Sequence, residues 1–358
     1  MPRFVISSVL ALALLAVRPA IAWDHPGHMT SAVIAWSEIE RLRPGVLEKI
    51  GLVLLKHPDP APFWVAADGA RGNERGRRMF IEAARWPDDS KFTLNDRPTF
   101  HTARWAIVTD DAPQEAREMV AARGGNPVGD AVKALELNAA VMANPEAMVW
   151  ERALALSWVL HIIGDIHQPL HVTDLVSAEY PTGNAAGALS YVWDPIADSA
   201  MPFHILWDSN NMRSTDLTEI ESNAREFLKK HPRSSYSQLT EKNGVGDFEA
   251  WARESHQIAI DFAYGYGINT IPDPNLNADS ERLIANMVKY ILDGVSPVDE
   301  APKVPEEYWE KLQEIAHRQI TLAGYRIADL IVAAADKILA ERATAGKILD
   351  SMQHHGAP

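Results

Sequence analysis

Read by the spacing of its apolar positions, the chain is a succession of helices. Val33, Ile34, Ile39 and Leu42 recur at helical spacing over Ser31–Leu42, and Arg43-Pro44 stops that run. Residues 57–75 hold several Pro and Gly and read as loop, followed by a short helical piece from Arg77. Asp130–Met142 reads as a helix with Val132, Leu135 and Val141 inward, closed by Asn144-Pro145. Val172–Val192 is rich in small residues and reads as loop. Phe248–Phe262, Glu281–Leu292 and Tyr308–Ala340 complete the helical set. Trp105–Val108 is the one brief extended stretch expected. The expected fold class is all-α (mainly α), a single compact helical domain.

One helix departs from the ordinary amphipathic pattern. From Leu154 to Ile163 nearly every residue is apolar, which marks a helix buried all round. Into that run the sequence inserts His161 and, four residues later, Asp165, which share a face. Pro169 ends the helix and His171 stands just beyond it. A buried carboxylate without a partner is costly, so the pattern calls for a cation. Imidazole nitrogen with carboxylate oxygen suits zinc. A second such pair, His204 and Asp208, lies further along.

Composition narrows the class. Arg3, the apolar run Phe4–Val17 and the small-x-small site Ala20-Ile21-Ala22 give residues 1–22 the form of a secretory signal peptide. The mature chain would then begin at Trp23, be secreted or periplasmic, and have no stable membrane association, since no second long apolar run is present. There are 0 cysteines, so disulfides and thiolate metal sites are both excluded. The formal charge of −14 argues against holding nucleic acid through a lysine-rich patch. A nuclease with this balance would have to draw phosphates through metal ions.

The motifs Trp23-x4-His28, Trp86-x-Asp88, His101, His161-x3-Asp165-x-His167-Gln168-Pro169-Leu170-His171 and His204-x2-Trp207-Asp208 succeed one another along the chain. With Trp251-Ala252-x-Glu254-Ser255 and Ala323-Gly324-x-Arg326, which read as helix packing, they make the chain resemble the zinc-dependent S1/P1 nuclease family. It is also distantly similar to bacterial phospholipase C. The resemblance implies a helical domain of the phospholipase C/P1 nuclease type over 23–345, and the terminal stretch 346–358 reads as a disordered tail. The resemblance also implies three zinc ions. Asp88, His101, His161 and Asp165 match the ligands of one, and Asp165 bridges to a second held by His28 and the amino nitrogen and carbonyl oxygen of Trp23. His171, His204 and Asp208 match those of the third.

The function that the resemblance implies is hydrolysis of single-stranded DNA or RNA to 5′-mononucleotides by a metal-activated water, with 3′-nucleotidase activity, in a monomer. The four-residue gap between Trp23 and His28, and Asp rather than Glu at 208, favour nuclease over the alternative, a phospholipase C-like phosphate esterase. A zinc-binding protein without turnover is the non-enzymatic alternative. Lys91 matches a basic residue expected to assist the leaving group. Three features depart from the family, Lys91 among them, since it is a point charge and not a bidentate fork. Arg104 stands where a carboxylate is usual. Gly183-Asn184-Ala185-Ala186-Gly187-Ala188 stands where a base-contacting Gly-Asp-x-Gly-Gly-Asn is usual, which leaves Asn184 as the substrate-binding candidate. His167, between two candidate ligands, is expected to support them or pack.

Overall fold

The computed structural model describes residues 23–239, 246–276 and 294–354, with 340–354 as backbone only. Helix α1 (His25–Leu42) begins six residues before the start that the periodicity predicts. Pro26-Gly27 resembles a loop, yet proline is favoured in a first helical turn, where its missing N–H would have no partner anyway. The Asp24 side chain caps this end by accepting the His25 N–H at 3.0 Å. As a result His28 lies inside the helix, in its first turn.

Next come helices α2 (Leu47–Leu54), α3 (Ala61–Ala66) and α4 (Gly72–Asp89), so the stretch that reads as loop is largely helical. Strand β1 (Trp105–Val108) is the extended stretch expected. Helix α5 (Gln114–Ala122) has no counterpart in the sequence reading. In α6 (Ala131–Met142) Leu135 is buried, while Val132 and Val141 are half-buried. Helix α7 (Val149–Ile166) is the apolar one. Strand β2 (Thr173–Val176) pairs in parallel with β1, Trp105 opposite Thr173. Strands β3 (Ser190–Asp194), β4 (Ser199–Pro202) and β5 (Ile271–Pro272) form an antiparallel sheet in the order β4-β3-β5. The segment Val172–Val192, expected to be loop throughout, therefore holds all of β2 and the start of β3.

Helix α8 (Phe203–Ser209) carries the second His/Asp pair. Helix α9 (Leu217–Lys230) also has no counterpart in the sequence reading. Helix α10 (Phe248–Ile258) passes into a π-helical turn, Ala259–Ala263, so the predicted run to Phe262 changes pitch near its end. The last helix, α11 (Glu306–His354), extends beyond the predicted Tyr308–Ala340 at both ends and enters the stretch expected to be a tail. The predicted helix Glu281–Leu292 and the segment 1–22 lie outside the described residues. The fold is mainly α, as expected.

Helix α7 runs through the middle, packed by α1, α4, α6 and α11. Every residue from Ala155 to Ile166 is buried. Burying each Leu, Ile or Val of that run contributes about 1.5–3 kcal/mol, and this holds the polar residues of α7 in place as well. A smaller core around Leu170, Phe203, Trp207 and Tyr308 fixes α8 and the turn after α7.

Candidate metal centre

The central face of α7 presents His161 and Asp165, both wholly buried, with His161 Nε2 3.3 Å from Asp165 Oδ2. Three neighbouring elements converge on this pair. Helix α1 delivers His28, whose Nε2 is 3.3 Å from Asp165 Oδ1 and whose ring stacks on His161 at 4.0 Å. Gly164 makes that approach possible, because a Cβ there would lie 2.5 Å from His28 Nδ1. The last turn of α4 delivers Asp88, with Oδ1 3.5 Å from His161 Nε2. A 3-10 turn, Pro98–His101, delivers His101, whose Nδ1 is 3.2 Å from Asp165 Oδ2.

A second group lies beside the first. Pro169 opens a 3-10 turn that carries His171, and α8 supplies His204 and Asp208. His171 Nε2 is 3.5 Å from Asp208 Oδ1, and His204 Nε2 is 3.2 Å from Asp208 Oδ2. Among the described residues, three sets have ligand atoms close enough to hold a metal ion: His28–His161–Asp165, Asp88–His101–His161 and His171–His204–Asp208. Sequence reasoning names every one of these residues. His161 stands in two of the sets and Asp165 in one, whereas the resemblance makes Asp165 the bridging residue.

Backbone carbonyls fix the tautomers. His161 Nδ1 donates to Ala84 O at 2.9 Å, His171 Nδ1 to His101 O at 2.7 Å, and His204 Nδ1 to Ala186 O at 2.9 Å. Each bond leaves Nε2 as a lone-pair donor facing the carboxylates, the usual support for a metal-ligating histidine. His101 is turned the other way, with Nδ1 toward the centre. Gln168 donates to Asp208 Oδ1 at 2.6 Å and so fixes that carboxylate.

Without a cation these side chains are in electrostatic conflict. Burial pushes Asp165 well above the usual carboxylate range, and Asp88 adds to the effect. Burial raises Asp88 too, against the nearby Lys91 ammonium. Burial, then the neighbouring imidazoles, holds His28 well below the usual imidazole range. His101 is lowered by burial and then by Lys91, and His161 chiefly by burial. Burial also brings His204 down to about 4. Asp208 goes the other way from Asp165 and Asp88: its burial is outweighed by His204 and His171, which lower it. Both oxygens of Asp165, one each of Asp88 and Asp208, and both ring nitrogens of His28 are buried with no hydrogen-bond partner. So many orphaned lone pairs, all nitrogen or oxygen, fit divalent metal ions.

A profile of the S1/P1 nuclease family matches residues 23–336. The chain belongs to the S1/P1 nuclease family. It is also 25% identical to Nuclease S1 of Aspergillus oryzae (strain ATCC 42149 / RIB 40) over 329 residues, 92% of this chain and 96% of that one. As an S1/P1 nuclease it is a hydrolase acting on phosphodiester bonds. Among the described residues no helix is long and apolar enough to cross a membrane.

Lys91, Trp23 and Asn184 are the remaining candidate site residues of this S1/P1 nuclease. Lys91 sits one turn after Asp88 and pairs with its Oδ1. Trp23 is buried against the start of α1, and the next residue's N–H bonds to Asp208 O at 3.1 Å. Asn184 is held within its own loop. It is wholly buried, its Oδ1 accepts from Leu175 N and Gly187 N, and its amide donates to Ser190 and Tyr264. Its hydrogen-bonding capacity is spent on the loop, so it has none left for substrate.

Sequence reasoning undervalues a buried support behind the candidate ligands. His167 Nδ1 donates to Ile163 O at 2.6 Å, and its Nε2 meets the Arg326 guanidinium at 2.8 Å. Arg326 forks onto both oxygens of Glu254, at 3.0 and 2.7 Å. The two motifs that read as packing are thus one ion pair bracing the end of α7. Their sequence signal is weak, with Arg326 72 residues beyond Glu254. The apolar groove of about 380 Å³ bordered by Ile50, Leu156 and Ile331 includes none of the candidate ligands.

Proposed function

We propose that this protein is a zinc-dependent phosphodiesterase that hydrolyses single-stranded DNA and RNA to 5′-mononucleotides and also acts as a 3′-nucleotidase. Asp88, His101, His161 and Asp165 would hold one zinc ion, and Asp165, His28 and the Trp23 amino nitrogen and carbonyl oxygen a second. His171, His204 and Asp208 would hold a third. The observation that carries the reading is the joint burial of these donors with no protein partner for so many of their lone pairs. Bound there, zinc would supply Lewis-acid activation of water and positive charge for the phosphoryl oxygens.

The chain's own contribution is positional. The carbonyls of Ala84, His101 and Ala186 hold three imidazoles in the tautomer that presents Nε2. The apolar walls of α1 and α7 exclude water, which strengthens each charge interaction. Lys91, held beside Asp88, offers an ammonium to a developing leaving-group charge.

The reading further assigns residues 1–22 to an export signal and the mature protein to a secreted or periplasmic monomer. Arg3, the apolar run Phe4–Val17 and the small-x-small site Ala20-Ile21-Ala22 support cleavage before Trp23. A side-by-side assay on single-stranded RNA and phosphatidylcholine tests the substrate class. Turnover of RNA and 3′-nucleotides with none of phosphatidylcholine is expected, and the reverse would overturn the reading.

A further inference from the structure

Arg104 is the third residue after His101, and its surroundings give its guanidinium little to do. Its backbone is pinned on both sides, by an antiparallel bridge to Val128 and by the Ala103 N–H bonded to His171 O at 3.0 Å. Its side chain is one-fifth exposed. Nε is buried with no hydrogen-bond partner. Among the described residues its one ion-pair contact is Asp174 Oδ2 at 3.6 Å, too long for a hydrogen bond. A guanidinium has five donors in a planar fork, and leaving such donors buried and unmatched is costly.

The position of Arg104 relative to the metal centre is set by a short chain of contacts. Asp174 accepts the Ala186 N–H at 3.3 Å, and the Ala186 carbonyl accepts the Nδ1–H of His204. Arg104 is therefore linked through Asp174 and one residue of the loop to a candidate metal ligand, and its charge bears on His204 and on Asp174. Arg123 adds a second positive charge at Asp174. The loop that runs past them, Asn184–Gly187, has no side-chain amide to spare from Asn184.

We propose that Arg104 forms a phosphate subsite, receiving oxygens of a substrate phosphate beside the His171–His204–Asp208 group, so that this enzyme selects substrate by its phosphates rather than its bases. The proposal rests on the phosphodiesterase reading above and names what that site recognises. The ligand class comes from the chemistry: a planar fork of donors matches a phosphate oxyanion in two-point contact, and a polyanionic single strand offers one at every residue. The Asp174 carboxylate, near but not hydrogen-bonded, keeps the guanidinium aimed without occupying its donors.

The test uses full-length mature protein loaded with zinc, comparing wild type with Arg104→Met and Arg104→Lys. Calorimetry with inorganic phosphate reads the subsite directly. Steady-state kinetics on oligothymidylate and oligoadenylate read its role in catalysis, and metal analysis reports on the ligands. We expect Arg104→Met to keep its metal and to bind phosphate about tenfold more weakly, with KM for both oligonucleotides raised about tenfold and kcat changed less. The salt slope of log KM should become shallower by about 0.7, the share of one phosphate contact on a single strand. Arg104→Lys should recover part of the affinity, having the charge without the fork. Unchanged phosphate affinity and KM in Arg104→Met would overturn the proposal, and so would metal loss, which would make Arg104 a brace for the Ala186 loop. A wild-type preference of more than tenfold between the two oligonucleotides would overturn its second half. If the wild type cleaved no phosphodiester, the function would be wrong, while the phosphate titration would still decide the subsite.

Discussion

Gly164 and His28 lie so close that a Cβ on residue 164 would stand 2.5 Å from the imidazole Nδ1. The glycine lets α1 bring a histidine onto the face of α7 that carries His161 and Asp165. Gly164→Ala should therefore displace His28 without dismantling the fold. The gain in helix propensity, about 1 kcal/mol, offsets part of an overpacking cost of about 1–3 kcal/mol. A ligand shift of about 1 Å should lower turnover about 100-fold. Metal analysis and kinetics check this together: reduced metal with a near-native melting temperature is expected, and full metal with native turnover would refute the role.

Arg326 is 2% exposed, joins Glu254 to His167, and lies over the Trp251 ring at 4.8 Å. Arg326→Met removes the cation from a largely buried pair and deprives Glu254 and His167 of their shared guanidinium. A loss of about 3–5 kcal/mol in unfolding free energy is expected. Denaturant titration measures it, and a loss under about 1 kcal/mol would show that the pair does not brace α7.

Acid should weaken the protein through histidines that are not candidate ligands. Burial lowers His57 to about 4, and His317, stacked on Phe227, to about 4. In the unfolded chain both take up protons near pH 6.5, the ordinary imidazole value, while in the folded chain they stay neutral until about pH 4. The unfolded state thus binds more protons in that window, so stability falls as pH drops from about 6.5 to about 4. His57→Phe keeps the packing against Phe63 and Trp86 and removes one titrating group. Its melting temperature should fall less than that of the wild type between pH 7 and pH 5. Equal losses would show that His57 does not contribute.

The candidate ligands are legible in the sequence because metal chemistry leaves a local signature. His161 with Asp165, and His204 with Asp208, each stand four residues apart in apolar surroundings. The start of α1 is misread because Pro26-Gly27 resembles a loop when its Asp24 cap and the approach of α7 are not in view. Helix α5 leaves little periodic signal because Ala116 is its one buried residue, whereas Ile220, Ala224 and Phe227 of α9 do stand at helical spacing and the sequence reading passes over them. Likeness to a motif assigns Asn184 to substrate, but its role is set by Leu175, Ser190 and Tyr264, whose proximity no spacing reveals. The Glu254–Arg326 pair is hidden for the same reason.

If Trp23 contributes its amino nitrogen, that nitrogen must be a free amine. An α-amino group has a pKa near 8, which makes it far easier to deprotonate than a lysine near 10.4, and a peptide nitrogen has no lone pair to offer. Mature protein beginning at Trp23 should be fully active. A form carrying one or two extra residues before Trp23 should lose most activity and hold one zinc ion weakly. Equal activity and equal metal content in the two forms would remove the amino terminus from the centre.

The central claim is that these buried donors form one metal cluster bridged by Asp165. Its most direct test is the zinc content of mature protein, measured by native mass spectrometry for the wild type and Asp165→Asn. The wild type should carry about three zinc ions per chain, given the number of nitrogen and oxygen ligands present. Asp165→Asn should carry fewer and be inactive, since losing the bridge leaves two cations repelling each other. One zinc ion or none in the wild type, or a full complement with native turnover in the variant, would contradict the account.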